Sequence, residues 1–348
     1  MQTTSDKYWF DETAAQRAVG FIEKFCTHVK GELGGTPFLL EQWQKDDIIR
    51  PLFGWKDQDG LRKYRTCYVE IPRNNGKSNL SAAIALFMLF ADGEHGAEII
   101  SAAGDRGQAN IVFDIAKDMI GNNAALTQRC RVLRNVVRYK TSWYKSISAE
   151  AYTKHGLNCH AVIFDELHTQ PNRELWDVLT TSTGARRQPL IIALTTAGHD
   201  RSSICYEVHE YAEKVRDGVI DDPTFLPVLY CADLDDDWTE EATWRKANPG
   251  YGSICHKSYF DQAVQNAKAN PSMVNSFLRL HLNIWTSAET AWIPDDIWMK
   301  GDSPIPHDRL QELPCFGGLD LASTQDLTAF ALLFRDDSND CFYLLVHQ

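Results

Sequence analysis

The sequence predicts an α/β fold built on a mostly parallel sheet. Between residue 65 and about 200, runs rich in β-branched and aromatic residues alternate with runs of helical periodicity. The predicted strands are RTCYVEIP, AEIISAA, HAVIFDE and PLIIALTT, and the helices that follow them are 77–91, 105–120, NRELWDVLTTS and SICYEVHEYAEKVRD. This alternation is typical of βαβ units. AVIF and LIIAL are continuous apolar runs, which indicates central strands covered on both faces.

The composition is that of a globular protein. The chain has 348 residues, which suits two domains, and it is 44% hydrophobic and 24% charged. Its nine cysteines lie far apart with no C-x-x-C pair, which favours a reducing, intracellular setting. The longest apolar run, LSAAIALFMLFA, is too short to span a bilayer, so we expect no membrane segment.

The net charge of −12 argues against a protein whose whole surface is basic and binds nucleic acid. A local basic stretch exists at 129–145, RCRVLRNVVRYKTSWYK, with aromatic residues between the cations and no acid. We interpret it as a solvated strand or hairpin face, and a nucleic-acid contact is the alternative.

The alternating pattern ends near residue 220. An acidic turn, DLDDDWTEE, is followed by helical stretches at 256–270 and 272–285 and by a Pro-rich segment typical of a surface linker. Three strand-like runs then follow, FGGLDLA, LTAFALLFRD and CFYLLVHQ. We therefore predict three parts: 1–220, 221–315 and 316–348.

Residues 71–78, IPRNNGKS, contain half of a phosphate-binding loop, Gly76-Lys77-Ser78. In such a loop, backbone N–H groups wrap the phosphates, the lysine reaches the β and γ oxygens, and the hydroxyl holds Mg²⁺. The strand CYVEIP before the loop and the apolar helix after it give the context in which a helix N-terminus faces an anion.

The first glycine of the G-x-x-x-x-G-K-[ST] pattern is missing, because Ile71 stands in its place. Pro72 fixes one φ angle, and Asn74 and Asn75 are residue types that tolerate left-handed backbone. GKS alone is short enough to occur by chance, so the loop by itself does not separate a nucleotide site from an ordinary helix start.

A second motif favours the nucleotide site. In HAVIFDELH, an apolar strand ends in Asp165-Glu166, where the first carboxylate can join the Mg²⁺ shell and the second can activate water. Acids also cap helices that follow strands, which is the structural alternative. The two motifs together predict ATP hydrolysis with Mg²⁺.

Further candidates are Thr195 and Thr196, at the end of PLIIALTTAG, where a hydroxyl could sense the γ-phosphate. Gln44, in FLLEQWQKDD, has an amide able to donate to and accept from adenine. An ordinary strand threonine and a surface helix glutamine are the alternatives.

The order of these motifs resembles the large terminase subunit of tailed bacteriophages, from about residue 20 to 335. The motifs that carry the resemblance are LEQWQ…LFGW, IPRNNGKS, SAAGDRGQANIVFD, GLNCHAVIFDELH, LTTAG, KANPGYG, FLRLHLNIW and GGLDLASTQDLTAF. The resemblance implies a P-loop ATPase domain of the ASCE type over 1–220, a helical lid and linker over 221–315, and the first strands of an RNase H-like nuclease over 316–348.

The implied function is ATP-driven translocation of viral double-stranded DNA into a procapsid, coupled to endonuclease cutting of concatemers. The implied partners are DNA, the portal protein, the small terminase subunit and further copies in a ring, with no membrane, in the host cytoplasm at the procapsid portal. A helicase-like ATPase and a non-catalytic DNA- or portal-binding remnant are the alternatives.

The resemblance also implies roles for individual residues. Glu166 matches the catalytic base, Asp165 and Ser78 the Mg²⁺ ligands, and Gln44 the adenine contact. The implied nucleotide contacts within the loop are Arg73, Asn74, Asn75, Gly76, Lys77 and Ser78. Arg73 is also an implied catalytic residue, and Thr195 with Thr196 forms the segment coupling hydrolysis to DNA movement. A trans-acting arginine is implied as well, with Arg106, Arg129, Arg186 and Arg187 as candidates.

Asp320 and Asp326 match carboxylates that hold Mg²⁺ or Mn²⁺ in the family's nuclease. A strand end and a turn cap are the alternatives for them. The family's nuclease needs further acidic residues from later strands, and this chain ends near what would be the third strand. We therefore expect a fragment or a truncated gene, without competent DNA cleavage by these residues alone.

Overall fold

The computed structural model describes residues 7–149, 156–286, 301, 305, 307–320 and 329–347. They belong to two compact units, Met1–Trp292 and Ile293–Gln348.

The first unit is an α/β domain with a helical part at its C-terminal end. Its strands are β1 (Tyr8–Phe10), β2 (Trp55–Asp57), β3 (Thr66–Glu70), β4 (Glu98–Ala103), β5 (Arg131–Val132), β6 (Val137–Tyr139), β7 (Ser142–Ser148), β8 (Ala161–Asp165), β9 (Leu190–Thr195) and β10 (Phe225–Leu229). Its helices are α1 (Glu12–Phe25), α2 (Arg50–Gly54), α3 (Lys77–Phe90), α4 (Arg106–Gly121), α5 (Ala124–Thr127), α6 (Glu174–Thr181), α7 (Ile204–Arg216), α8 (Glu241–Ala247), α9 (Lys257–Ala269) and α10 (Val274–Leu282). Shorter helical segments are Gln44–Ile49, which is π-helical, Leu167–Thr169 and Pro271–Met273.

Eight strands form one sheet in the order β10-β3-β9-β8-β4-β7-β6-β5. The six strands from β10 to β7 are parallel, and β5 and β6 add an antiparallel hairpin at one edge. β9 lies between β3, which precedes the GKS motif, and β8, which ends in Asp165. An added strand at this place distinguishes the ASCE type. The α/β prediction is confirmed.

Burial explains why the apolar runs form the centre of the sheet. Every residue of β8 is buried, and so are Leu80 to Leu89 of α3, which packs on the sheet. Parallel strands covered on both faces have continuous apolar sequences, and a helix that is apolar all round is a buried one. Because β3, β8 and β9 are parallel, their carboxyl ends meet at one edge of the sheet.

The basic stretch forms an antiparallel ladder of β5, β6 and β7. Its four arginines, Arg129, Arg131, Arg134 and Arg138, are exposed. The predicted hairpin is confirmed, and the choice between a solvated face and a nucleic-acid contact stays a prediction.

Helices α8, α9 and α10 form a helical subdomain (residues 232–284) with its own apolar core. The core includes Trp244, Phe260, Phe277 and Leu282. α9 and α10 lie in the two predicted helical stretches, and α8 begins where the acidic turn ends. The division into 1–220, 221–315 and 316–348 stays a prediction; β10, at 225–229, is a strand of the main sheet.

The second unit contains α11 (His307–Leu310) and a three-stranded antiparallel sheet. Its strands are β11 (Cys315–Asp320), β12 (Ala329–Asp336) and β13 (Cys341–His347), in the order β11-β12-β13. Arg309 lies 3.0 Å from the Asp336 carboxylate within this unit. The three predicted strands are confirmed. Among the described helices of the chain, none is long and apolar enough to cross a membrane.

A buried ion network lies at the C-terminal end of α3. The Arg62 guanidinium donates to the Asp92 carboxylate at 2.9 Å, and His160 Nε2 lies 2.6 Å from the other carboxylate oxygen. All three side chains are buried. Burial alone raises the pKa of Asp92, but Arg62 and His160 outweigh it and hold that pKa well below its usual range.

We expect Asp92→Asn to destabilise the first unit by about 3–5 kcal/mol, because it leaves the buried Arg62 without a counter-charge. The pKa of Asp92 is lowered on folding, so the stabilisation is present above about pH 4 and is lost as the pH falls further. Urea unfolding followed by circular dichroism measures the effect, with Asp118→Asn, an exposed aspartate of α4, as the control. Equal unfolding midpoints for the two variants would contradict the assignment.

Candidate active site

The GKS loop (residues 71–78) connects β3 to α3 at the carboxyl edge of the sheet. Asn74 and Gly76 have positive φ angles of 65° and 80°. Gly76 is the N-cap of α3, and at that φ angle a larger side chain is strained. The free N–H groups of the first turn of α3 point out of this end, which favours an anion. Asn74, rather than Asn75, is the asparagine that takes the left-handed conformation.

The Lys77 side chain is folded back under the loop. Its ammonium donates to the carbonyl oxygens of Ile71 at 3.1 Å and Pro72 at 3.2 Å. It also donates to Thr196 Oγ1 at 2.7 Å. Burial lowers the pKa of Lys77, and Glu166 opposes that shift. The structure thus brings Lys77 and Thr196 into direct contact.

Ser78 and Asp165 come together across the sheet edge. Ser78 Oγ donates to Asp165 Oδ2 at 3.4 Å, and the buried Asp165 Oδ1 has no hydrogen-bond partner among the described residues. Burial, together with repulsion from Glu166, raises the pKa of Asp165 to about 7. A hydroxyl and a carboxylate with one oxygen free of hydrogen bonds are oxygen donors of the kind that Mg²⁺ takes, so these residues fit that ion.

Glu166 follows Asp165 in a left-handed conformation with φ at 51°, a strained backbone of the kind that occurs at functional sites. Its carboxylate lies 3.7 Å from the Lys77 ammonium and 3.3 Å from His168 Nδ1. Burial raises the pKa of Glu166, but Lys77 and then His168 outweigh it and bring the pKa to about 2. Glu166 is therefore ionised at neutral pH and can accept a proton.

Thr195 reaches the same carboxylate through His168. Its Oγ1 accepts from the His168 backbone N–H at 3.2 Å and lies 3.1 Å from His168 Nδ1. Thr196 Oγ1 donates to Ile71 O at 3.3 Å, so the adjacent threonine contacts the loop. The sequence reasoning did not assign His168 to this site; its position two residues after Glu166 was the available signal.

A cavity of about 540 Å³ opens beside the GKS loop and Glu166. It is lined by Val29, Lys30, Arg73, Asn74, Gly76, Lys77, Ser78, Asn79, Gln108, Ile111, Ile115, Glu166, His168 and Thr169. Arg73 and Asn74 thus lie at the cavity, as a role in anion binding requires.

A second cavity, of about 710 Å³, shares Lys30, Gly76 and Asn79 with the first. Gln44 lines it and is only 1% exposed, so it is not a surface residue. Gln44 Oε1 accepts from the Glu41 N–H at 3.0 Å, while Nε2 has no partner among the described residues. The amide N–H₂ is therefore free to bind a ligand.

Asn75 is placed differently from the other loop residues. Its side chain is fully buried and faces Asn248 and Gly250 of the helical subdomain, and it is absent from the lining of both cavities. Only its backbone is left for an anion in the first cavity.

The remaining predicted residues lie elsewhere. Asp320 ends β11 in the second unit and is exposed, and Asp326 lies outside the described residues. No group of three or more His, Cys, Asp or Glu that could hold a metal ion occurs in the described part of the chain.

Arg186 is engaged within its own chain. Its guanidinium donates to Glu94 at 2.9 Å, to Asn158 O at 3.0 Å and to Gly96 O at 2.8 Å. Arg129 and Arg106 are exposed, whereas Arg186 is held by hydrogen bonds that a trans-acting role would break.

Comparison with known proteins gives consistent matches. Residues 42–214 match the family "Terminase large subunit, ATPase domain", and residues 219–348 match "Terminase large subunit, endonuclease domain". The large terminase subunit of Enterobacteria phage HK97 is 31% identical over 335 residues, covering 93% of this chain and 63% of that protein. Protein YmfN of Escherichia coli K12 is 32% identical over 180 residues, covering 51% of this chain and 40% of that protein.

Among solved structures, the crystal structure of the HK97 bacteriophage large terminase matches with a TM-score of 0.68 and 26% identity. The match covers 95% of this chain and 67% of that chain. The chain spans less than two thirds of the length of the two curated relatives, 63% and 40%.

Proposed function

The chain belongs to the large terminase subunit family, and from that premise we propose that it hydrolyses ATP to drive viral double-stranded DNA into a procapsid. The observation that carries the proposal is that Lys77, Ser78 and Glu166 line one cavity, with the buried Asp165 in contact with Ser78 behind it.

Each of these residues has a distinct task in phosphoryl transfer. Lys77 leaves its contacts with the loop carbonyls to hold the β and γ phosphates, and Arg73 adds a second positive charge at the cavity. Ser78 and Asp165 would hold Mg²⁺, which would supply positive charge next to the phosphates. Glu166, ionised and aimed by His168, orients the attacking water and accepts its proton.

The base and the phosphates occupy the two joined cavities in this proposal. Gln44 binds adenine in the second cavity with its free Nε2 group. The phosphates lie in the first cavity against the backbone N–H groups from Asn74 to Ser78 and the N-terminus of α3. The shared wall at Gly76 suits the passage of a nucleotide between the cavities, since it carries no side chain.

Thr195 and Thr196 couple the site to movement. Thr195 contacts His168, which contacts Glu166, and Thr196 contacts both Lys77 and the loop. Loss of the γ-phosphate therefore changes the partners of two side chains at the end of β9. Strand β9 continues directly into the segment before α7. A change at the strand end can therefore move that segment as a unit.

The wider roles follow from the family. We propose that the chain acts with the portal protein, the small terminase subunit and further copies in a ring, in the host cytoplasm. Asp320 and Asp326 are proposed ligands of Mg²⁺ or Mn²⁺ in the endonuclease part. The domain division 1–220, 221–315 and 316–348 is part of the same proposal.

The proposal predicts that double-stranded DNA raises the rate of ATP hydrolysis without separation of the strands. A packaging motor moves along an intact duplex, whereas a helicase-like ATPase opens it. Phosphate release with and without a linear duplex, run beside a strand-displacement assay, measures both. Strand separation would favour the helicase alternative, and absence of turnover in any condition would favour a non-catalytic remnant.

A further inference from the structure

The GKS loop is tied to the helical subdomain by hydrogen bonds at Arg73, Asn74 and Asn75. The Arg73 backbone N–H donates to Leu280 O at 2.9 Å. Cys255 Sγ donates to Asn74 O at 3.1 Å. These two contacts join the loop backbone to the subdomain.

The strongest tie is a pair of buried amides, Asn75 and Asn248, which are 0% and 1% exposed. Asn75 Nδ2 donates to Asn248 Oδ1 at 2.9 Å across 173 residues of sequence. The orientation of the Asn248 amide is fixed, because its Nδ2 donates to two carbonyl oxygens, Trp244 O at 2.9 Å and His281 O at 2.8 Å.

The Asn75 amide is fixed in the same way. Its Oδ1 accepts from the Gly250 N–H at 3.1 Å, and its Nδ2 also donates within the loop to Pro72 O and Arg73 O, at 3.3 Å and 3.2 Å. A Cβ at position 250 would lie 2.9 Å from Asn75 Oδ1, so only glycine lets the two segments approach this closely. The same side chain thus closes the turn of the loop and joins it to the subdomain.

We propose that the helical subdomain holds the GKS loop in its phosphate-binding shape through the Asn75–Asn248 amide pair, in place of the glycine absent at position 71. Ile71 is fully buried and cannot provide the backbone freedom of a glycine. The amide pair supplies the turn by side-chain hydrogen bonds instead. This inference rests on the proposed ATP hydrolysis. It adds Asn248 and Gly250 as positioning residues, and it gives the Asn75 side chain a positioning role that is separate from the backbone N–H of the same residue.

The residues of this pair lie in two separate motifs of the sequence. KANPGYG contains both Asn248 and Gly250, and the GKS loop contains Asn75. When a buried amide loses its hydrogen-bond partner, the protein bears the full desolvation penalty of that amide. Replacing either asparagine of the pair is therefore expected to have a large effect.

The test is the steady-state kinetics of ATP hydrolysis by Asn75→Asp and Asn248→Ala in the full chain. Asn75→Asp keeps the size of the side chain but places a carboxylate oxygen against Asn248 Oδ1, and Asn248 cannot turn without losing both carbonyl partners. We expect each variant to raise KM for ATP about tenfold and to leave kcat within about twofold of wild type, because phosphate binding is weakened equally before and during the reaction. Asn266→Ala, an exposed residue of α9 in the same subdomain, is the control and leaves KM unchanged.

A purely structural role would lower the amount of active protein, and hence the apparent kcat, without moving KM. With Asn75→Ala measured as a third single variant, the double variant Asn75→Ala/Asn248→Ala is expected to raise KM by less than the product of the two single alanine effects, because the two side chains share one interaction. A KM within about twofold of wild type in both single variants, or additive effects in the double variant, would overturn the inference.

Equilibrium binding, run in parallel, measures the dissociation constant for ATP. This constant distinguishes failure of the proposed ATP hydrolysis from failure of the proposed role of the amide pair. Absence of turnover in the wild type would refute the proposed function, and the binding constants would still decide the role of the amide pair. A lower affinity in both single variants supports the pair, and an unchanged affinity refutes it.

Discussion

Glu166→Gln lowers kcat for ATP hydrolysis by about 10²- to 10⁴-fold and leaves ATP binding close to wild type, which is the range for loss of a general base. The substitution keeps the size of the side chain but removes the group that accepts the proton of the attacking water. Glu166 is suited to that task because Lys77 and His168 keep it ionised at neutral pH.

Single-turnover phosphate release measures the chemical step, and equilibrium binding of a fluorescent ATP analogue measures affinity. Glu210→Gln, an exposed glutamate of α7, is the matched control. A Glu166→Gln protein that hydrolyses ATP at the wild-type rate would show that another group is the base.

Lys77→Ala is expected to abolish detectable turnover and to weaken ATP binding by about 10- to 100-fold, the range for losing hydrogen bonds from a charged group. Lys77 is the only ammonium that contacts Glu166 among the described residues, and it also donates to Thr196. Its removal therefore takes away a phosphate ligand and releases the segment at the end of β9.

The same two assays measure this variant. Lys214→Ala, the surface partner of Glu210, is the control and keeps wild-type affinity and turnover. Wild-type affinity in Lys77→Ala would mean that the phosphates bind elsewhere.

The α/β fold could be predicted because its signals are local. Strands β8 and β9 are continuous apolar runs, and each is followed by a helical pattern within a few residues. Strand order is not local: the position of β9 between β3 and β8 depends on how the helices pack on both faces. Strand β10, five residues past residue 220, joins the same sheet by pairing with β3, which no residue in its own sequence requires.

The candidate site likewise contains residues with a local sequence signal and residues without one. Gly76-Lys77-Ser78 and Asp165-Glu166 are short motifs with a known chemical use, so sequence reasoning could select them. The role of Asn75 could not be read in this way, because its partner is 173 residues away and belongs to a separately packed core. His168 was missed because its position two residues after Glu166 does not show which groups it contacts until the strand ends are brought together.

The structure also gives two residues surroundings that differ from those expected from the sequence. Gln44 was open to being a surface helix residue, and the structure buries it with one free amide group at the wall of a cavity. Arg186 was one of four candidates for a trans-acting arginine, and its hydrogen bonds to two segments of its own chain, at 94–96 and at 158, give it a structural role.

The central claim is that ATP is hydrolysed at the site formed by the GKS loop and the end of β8. The most direct measurement is steady-state phosphate release by wild type, Lys77→Ala and Glu166→Gln at saturating Mg²⁺ and ATP in the presence of duplex DNA. We predict turnover in the wild type and its loss in both variants. Unchanged phosphate release in both variants would contradict the claim.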